Sequence, residues 1–266
     1  MGTEGAGRTI KSVDVVCELV TELRDTHGVT VTELAEAVDR SPGTVSTYLS
    51  TLRNHGFVVK SASGYTLGPE FLTFGEYVRH NIPLYQAAKE EVDRLVAEVG
   101  ECGHLIIEHH GQIYTLYENF GTNAVGVEYH SRKREIPLDH IHCTAAGKAI
   151  LAHLPEARAR RILDDCGLTR NTEKTITDLD ELLDRLEVVR ERGYALADEE
   201  QLHGIRAVGV PVVTANRTVA GAITVSGPAS RLRGDWFRDD LPERVMQASN
   251  IAEVNLETQH ERMVEG

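Results

Sequence analysis

Val31–Asn54 reads Val-Thr-Glu-Leu-Ala-Glu-Ala-Val-Asp-Arg-Ser-Pro-Gly-Thr-Val-Ser-Thr-Tyr-Leu-Ser-Thr-Leu-Arg-Asn, and the β-prone pieces Phe57–Lys60 and Gly64–Leu67 follow it. The pattern predicts a short helix, a turn, a longer helix and a two-stranded hairpin. Ser41 is placed to cap the longer helix, and Pro42 to fill its first position, where a missing N–H costs nothing. Val45, Tyr48, Leu49 and Leu52 recur on one face. The opposite face carries Gly43, Thr47, Ser50 and Asn54, flanked by Thr44 and Ser46. A helix with a dry back and a short polar front fits a DNA major groove, where base edges are read. Ser41, Thr44, Ser46, Thr47 and Ser50 are therefore the candidates for base-edge contact, and Arg53 and Lys60 for phosphates. A polar helix that merely faces solvent would share this pattern.

The charge distribution favours the DNA reading. The chain has 41 acidic residues against 28 basic ones, a formal net charge of −13, yet no Asp or Glu occurs between Ser41 and Pro69. A 29-residue gap in the acid distribution marks a surface meant to approach phosphates. Residues 1–69 hold six cations and eight acids, net −2, and residues 70–266 hold twenty-two and thirty-three, net −11. Abundant acid with only six lysines fits a high-salt cytoplasm, although an ordinary acidic cytosolic protein would look similar. Cys17, Cys102, Cys143 and Cys166 are scattered without a CxxC pair, which fits a reducing cytoplasm. No apolar run approaches the ~18 residues of a membrane span, and the N-terminus has no signal-peptide pattern.

Outward from the opening stretch, Ile10–Leu23 predicts a first helix with Val13, Val16, Cys17 and Val20 as its inward stripe, widened by Leu19 and Leu23. Thr32 is the expected cap of the second helix, with Leu34, Ala35 and Val38 inward. Phe57–Val59 and Tyr65–Leu67 flank a turn and predict a small β-wing. Glu70–His80 predicts a connecting helix that uses Phe71, Leu72, Phe74, Gly75 and Val78 for packing and pairs with a partner chain. Another helix runs from Leu84 to Val99. The period then becomes strand-like: His104–His109, Gln112–Asn119, Ala124–Tyr129, Tyr194–Ala197, Ile205–Val213 and Val219–Ser226. Helices are expected at Thr144–Leu154, Pro155–Cys166, Leu179–Arg192 and Leu241–Met263. The fold class is α+β: a winged helix-turn-helix, then a roughly six-stranded antiparallel sheet flanked by helices.

His142-Cys143-Thr144-Ala145-Ala146-Gly147-Lys148-Ala149 resembles the hallmark of IclR-type transcriptional regulators. So do Arg192-Gly193-Tyr194-Ala195, Asp198-Glu199-Glu200, Gly204, Pro211-Val212, Ala222–Pro228 with Arg231, and Tyr65-Thr66-Leu67-Gly68-Pro69. The match runs through nearly the whole chain in order. The resemblance implies a DNA-binding domain over 1–69, a connecting helix over 70–82 and a GAF-like effector-binding and oligomerisation domain over 83–266. It implies homodimers or dimers of dimers, a double-stranded operator, and a small organic acid or sugar-derived metabolite as effector. Carried over by position, the effector pocket includes Ala145, Ala197, Ala207, Thr224 and Ser226. Asp198 and Glu199 lie at a strand end beside it, and Val127 and His130 are plausible lining. Thr224 and Ser226 are two apart and share a strand face. Many relatives have a cysteine where Ala207 stands and a basic residue where Thr47 stands.

Other chemistry finds less support. His140-Ile141-His142-Cys143, and His104 with His109-His110, could be read as metal ligands, but no CxxC or HExxH supplies the remaining donors. Ser226-Gly227 lacks the nucleophile-elbow spacing, and Gly204–Gly209 lacks a P-loop Lys-Ser/Thr. Lys148, in a helix, is expected to pack or snorkel rather than act as a catalytic amine. No cofactor and no enzymatic activity are expected. A DNA-binding protein without a ligand would leave most of the chain without a role.

Overall fold

The computed structural model describes residues 9–26, 28–125 and 140–265. The chain divides into two compact units, Met1–Val78 and Arg79–Gly266.

In the first unit, α1 (Lys11–Asp25), α2 (Val31–Ala37) and α3 (Pro42–Asn54) are followed by the antiparallel pair β1 (Val58–Ser61) and β2 (Gly64–Leu67). α3 begins as the sequence requires: Ser41 Oγ accepts the Thr44 N–H at 3.2 Å, with Pro42 in the first turn. α2 is capped by Thr30 rather than Thr32. Thr30 Oγ1 accepts the Glu33 N–H at 3.3 Å, and the Glu33 carboxylate accepts the Thr30 N–H at 2.8 Å, a reciprocal capping box. The inward face of α1 follows expectation in part: Leu19 and Leu23 are buried and Val16 and Val20 pack against the core, but Val15 is also buried while Val13 and Cys17 face solvent. The core joins these residues to Leu34, Ala35, Val45, Leu49, Val58 and Tyr65. The wing is tied down by a bridge between Val29 and Tyr65. That approach requires Gly64, at φ +122°, where a Cβ would lie 2.5 Å from the Val29 carbonyl oxygen.

α4 (Glu70–His80) closes this unit and enters the next. It buries no residue, contrary to the packing role expected of Leu72 and Val78. Phe57 takes the rings of Phe71 and Phe74 at 5.3 and 5.7 Å. Leu72, Tyr77 and Val78 remain exposed.

The second unit is a three-layer α+β arrangement. α5 (Pro83–Val99) leads into β3 (Cys102–His109) and β4 (Gln112–Phe120). After a one-turn 3₁₀ helix at Ile141–Cys143 come α6 (Ala145–His153), α7 (Glu156–Cys166), α8 (Leu179–Arg192) and β5 (Ala195–Asp198). The chain ends with β6 (Ile205–Val213), β7 (Val219–Pro228) and α9 (Leu241–Glu265). The five strands lie in the order β4-β3-β7-β6-β5, every neighbour antiparallel. The sequence reads six strands; Ala124 and Val125 are not in a strand, and the rest of the expected Ala124–Tyr129 strand lies outside the described residues.

Alternation along each strand separates two cores. Leu105, Val208, Val210, Ile223 and Val225 face α5 and α9. Ile106, Ile113 and Ala222 face α6, α7 and α8. α6 sits unusually close to the sheet: a Cβ on Gly209 would come within 2.5 Å of the Ala145 carbonyl carbon. This approach places the first turn of α6 beside the inner face of β6 and β7.

Candidate DNA interface and effector cavity

On α3 the residues expected to face DNA are all exposed: Ser41, Thr44, Ser46, Thr47, Ser50 and Arg53, as is Lys60 on the wing. Their chemistry is mostly satisfied locally. Thr47 Oγ1 donates to the Gly43 carbonyl at 3.0 Å, and Ser50 Oγ to the Ser46 carbonyl at 2.8 Å. Thr44 Oγ1 lies 2.8 Å from Ser41 Oγ. The Lys60 ammonium sits 5.3 Å from the centre of the Tyr65 ring.

In the second unit, a cavity of about 250 Å³ opens between the inner face of the sheet and the first turn of α6. Ala145, Ala197, Ala207, Thr224 and Ser226 all line it, as the carried-over positions imply. Thr224 and Ser226 reach it from one face of β7, and Ala207 is paired directly with Ser226 across the β6–β7 ladder. Thr144 caps α6 by accepting the Gly147 N–H at 2.9 Å. The cap leaves the first-turn N–H groups, at the positive end of the helix, next to the cavity.

Asp198 and Glu199 do not line the cavity. Asp198 Oδ1 accepts from Arg206 Nε at 2.6 Å and from Lys174 Nζ at 3.3 Å. Burial presses the Asp198 carboxyl upward, but these hydrogen bonds outweigh it and hold the group below its ordinary value. Glu199 accepts from Lys174 Nζ at 2.8 Å and from the Gly204 N–H at 2.8 Å. Those bonds stabilise a turn in which Glu199 takes φ +61°, a left-handed conformation rare for a residue with a Cβ. Val127 and His130 lie outside the described residues.

Sequence reasoning missed six polar residues of the lining, Thr115, Thr144, Gln201, Arg206, His104 and Glu118, of which the last two meet each other. His104 on β3 places Nε2 3.1 Å from Ser226 Oγ, and its Nδ1 lies 3.6 Å from a Glu118 carboxylate oxygen. Both side chains are buried on the cavity wall. The signal was present: His104 and Glu118 are polar residues inside apolar strands. Only strand register, which pairs His104 with Glu118 on one side and Thr224 on the other, shows that they converge.

Of the two expectations for Lys148, packing holds and snorkelling does not. The residue is 1% exposed, and its ammonium meets both Glu200 oxygens at 2.5 Å. Burial pushes the ammonium below its usual value, against the pull of the Glu200 carboxylate. Glu200 is held in turn by its backbone carbonyl, which accepts from Thr175 Oγ1 at 2.6 Å. The pair ties α6 to the turn that carries the cavity residues Gln201 and Leu202. His142 lies in the 3₁₀ turn, fully buried, with Nε2 3.2 Å from the Thr169 carbonyl oxygen.

Sequence and fold both match known proteins. The family described as "Bacterial transcriptional regulator IclR C-terminal" matches residues 76–252. The chain belongs to the IclR family of transcriptional regulators. A second family, HVO_A0114, matches residues 14–72. Among IclR-type relatives, the "Probable HTH-type transcriptional regulator ArcR" of Halobacterium salinarum is 38% identical over 96% of this chain and 97% of its own. The crystal structure of the Thermotoga maritima IclR superposes with a TM-score of 0.73 at 24% identity, covering 93% of this chain and 99% of that one. An IclR homologue from Microbacterium hydrocarbonoxydans, crystallised with 4-hydroxybenzoate, gives 0.75 at 20% identity, covering 91% and 99%. At these identities the structural likeness concerns the fold. As an IclR-family member the chain is a ligand-responsive transcriptional regulator with an N-terminal helix-turn-helix and a C-terminal effector domain. Among the described residues no helix is long and apolar enough to cross a membrane.

Proposed function

We propose that this regulator switches catabolic genes from the cytoplasm by binding a pseudo-palindromic operator as a dimer, and that a small organic acid in the α6–sheet cavity sets its DNA affinity. The cavity carries the reading. Its walls are largely apolar (Ile106, Ile113, Val125 and Leu202), and Thr224, Ser226, His104 and the first turn of α6 line it together with the charged Glu118 and Arg206. Hydroxyls and helix N–H groups hold a carboxylate, and Arg206 in the same lining offers it a cation. A volume near 250 Å³ admits a molecule the size of a benzoate.

Dimerisation is supported by the apolar residues that α4 leaves in solvent. Leu72 is 72% and Tyr77 68% exposed, an arrangement that a second copy would cover. Two-fold symmetry in the protein would then be mirrored in the operator. The effector acts by binding one arrangement of the dimer more tightly than another. High-salt life, supported by the Halobacterium relative, would suit the sparse cations of the DNA face.

The test uses Trp236, the single tryptophan of the chain, as a fluorescence reporter of unfolding in the second unit. Saturating 4-hydroxybenzoate, or a small aliphatic acid such as pyruvate, should stabilise the protein by about 2.7 kcal/mol at a hundredfold excess over Kd. Ser226→Leu should abolish that shift while operator binding persists. A ligand shift that survives Ser226→Leu would place the site elsewhere.

A further inference from the structure

α3 carries no lysine or arginine before its last turn. Three hydroxyl protons on its outer face are already used, and the Ser41–Thr44 pair shares one more. Thr47 Oγ1 donates to the Gly43 carbonyl, Ser50 Oγ to the Ser46 carbonyl, and Thr51 Oγ1 to the Thr47 carbonyl at 3.1 Å. At the start of the helix, Ser41 Oγ and Thr44 Oγ1 bond each other, and the Ser41 oxygen also accepts the Thr44 N–H. A hydroxyl has one proton and two lone pairs. With the protons turned back into the helix, Thr47 and Ser50 offer lone pairs to an incoming base. The threonine side chains add methyl groups.

Base edges differ in what they ask for. Guanine presents two acceptors, N7 and O6, and is read by donors, above all by Arg or Lys. Adenine presents an amine, and thymine a methyl group. The stretch formed by Thr47, Ser50 and Thr51 presents lone pairs and methyls, which disfavours guanine and accepts an A·T pair, the amine on an oxygen and the methyl on a threonine methyl. Cytosine also offers an amine, but its guanine partner brings O6 and N7 into the same stretch of groove. The nearby cations flank this face. Arg53 lies in the last turn, Lys60 on the wing, and Arg40 precedes the helix with its guanidinium on the Asp39 carbonyl at 2.8 Å.

Resting on the assignment of α3 as the DNA-reading helix, we propose that it selects A·T-rich half-sites through thymine methyl groups and adenine amines, and not through guanine edges. The cations bind phosphates and carry no sequence information.

The experiment selects binders from a random-sequence duplex library with the full chain, then measures affinity for the enriched duplex with single-base analogues. The enriched half-site should be A·T over the α3 footprint. Replacing a contacted thymine by uracil, which removes only the methyl, should weaken binding about fourfold, the loss for one buried methyl-sized group. Replacing guanine by 7-deazaguanine within the footprint should change nothing. Arg53→Ala should weaken selected and random duplexes by the same factor. Thr47→Arg should bring a guanine into the enriched half-site. The proposal is overturned by an enriched guanine whose 7-deaza analogue costs about tenfold or more, or by uracil substitution without effect. It also fails if random duplex is bound with no sequence enriched, although α3 or its neighbours would still be contacting DNA. If no duplex is retained at all, the DNA-binding assignment falls with it.

Discussion

Removing one partner of the Lys148–Glu200 pair should unfold the second unit far more readily than removing both. Lys148 is 1% exposed and Glu200 is 8%, so neither charge can turn to water without opening the structure. Lys148→Met keeps the volume of the side chain and deletes the ammonium. Glu200 then has the Asp198 N–H, 3.3 Å from Oε1, as its remaining hydrogen-bond donor in the described structure. A buried carboxylate stripped of its counter-ion costs about 3–5 kcal/mol. With a urea dependence of about 2 kcal/mol per molar, the unfolding midpoint should fall by about 1.5–2.5 M. In the double variant Lys148→Met/Glu200→Leu no charge is stranded, and stability should return to within about 1–2 kcal/mol of the parent. The assay is urea unfolding in concentrated KCl, followed at Trp236, which lies in the same unit. The two single losses should therefore be strongly non-additive. A single substitution costing less than about 1 kcal/mol, or a double variant as unstable as the sum of the singles, would refute the claim that this pair anchors the cavity turn to α6.

Three further outcomes are expected. Thr47→Glu puts a carboxylate on the outer face of α3, so gel-shift binding to a selected duplex should be lost while the Trp236 transition is unchanged; undiminished binding would remove α3 from the interface. Leu72→Asp together with Tyr77→Asp should lower the oligomeric state seen by sedimentation, because both side chains lie exposed on α4; an unchanged state would locate self-association elsewhere. Finally, burial pushes the imidazoles of His142 and His153 below their ordinary value of 6.5, against the backbone carbonyls of Thr169 and Ala149 that they meet. The unfolded chain therefore takes up these protons first: the stabilisation is complete above pH 6.5 and is lost as pH falls below it, by at most about 1.4 kcal/mol per pH unit for each histidine. His142→Asn should flatten that decline, and an equally steep loss in the variant would contradict the assignment.

The recognition helix was legible because its signals are local. Ser41, Pro42 and the Val45–Leu49–Leu52 stripe specify a start and a buried face within 13 residues, and the structure places them accordingly. The cavity was legible only where a resemblance supplied positions, as for Ala145, Ala207 and Ser226. His104 and Glu118 were not, because their meeting depends on the β3–β4 register, and register is a property of two strands rather than of either sequence. The partner of Lys148 was hidden for a related reason. It lies 52 residues away, on a turn, and no helical period points to a partner there.

α1 shows a different limit. The helix has apolar residues on more than one face, so the stripe Val13–Val16–Cys17–Val20 and the stripe Val15–Leu19–Leu23 both satisfy helical spacing. Periodicity could not choose between them; packing against Leu34, Val45 and Leu49 buried the second. The surplus apolar surface then remains outside, at Ile10 and Val13 on α1 and at Leu72, Tyr77 and Val78 on α4. A chain with 41 acidic residues has ample means of keeping such positions polar. Apolar side chains kept in water on two helices of the same DNA-binding unit cost free energy with no return in a monomer. A second copy covering them would recover that cost, which is the ground on which a dimer is proposed.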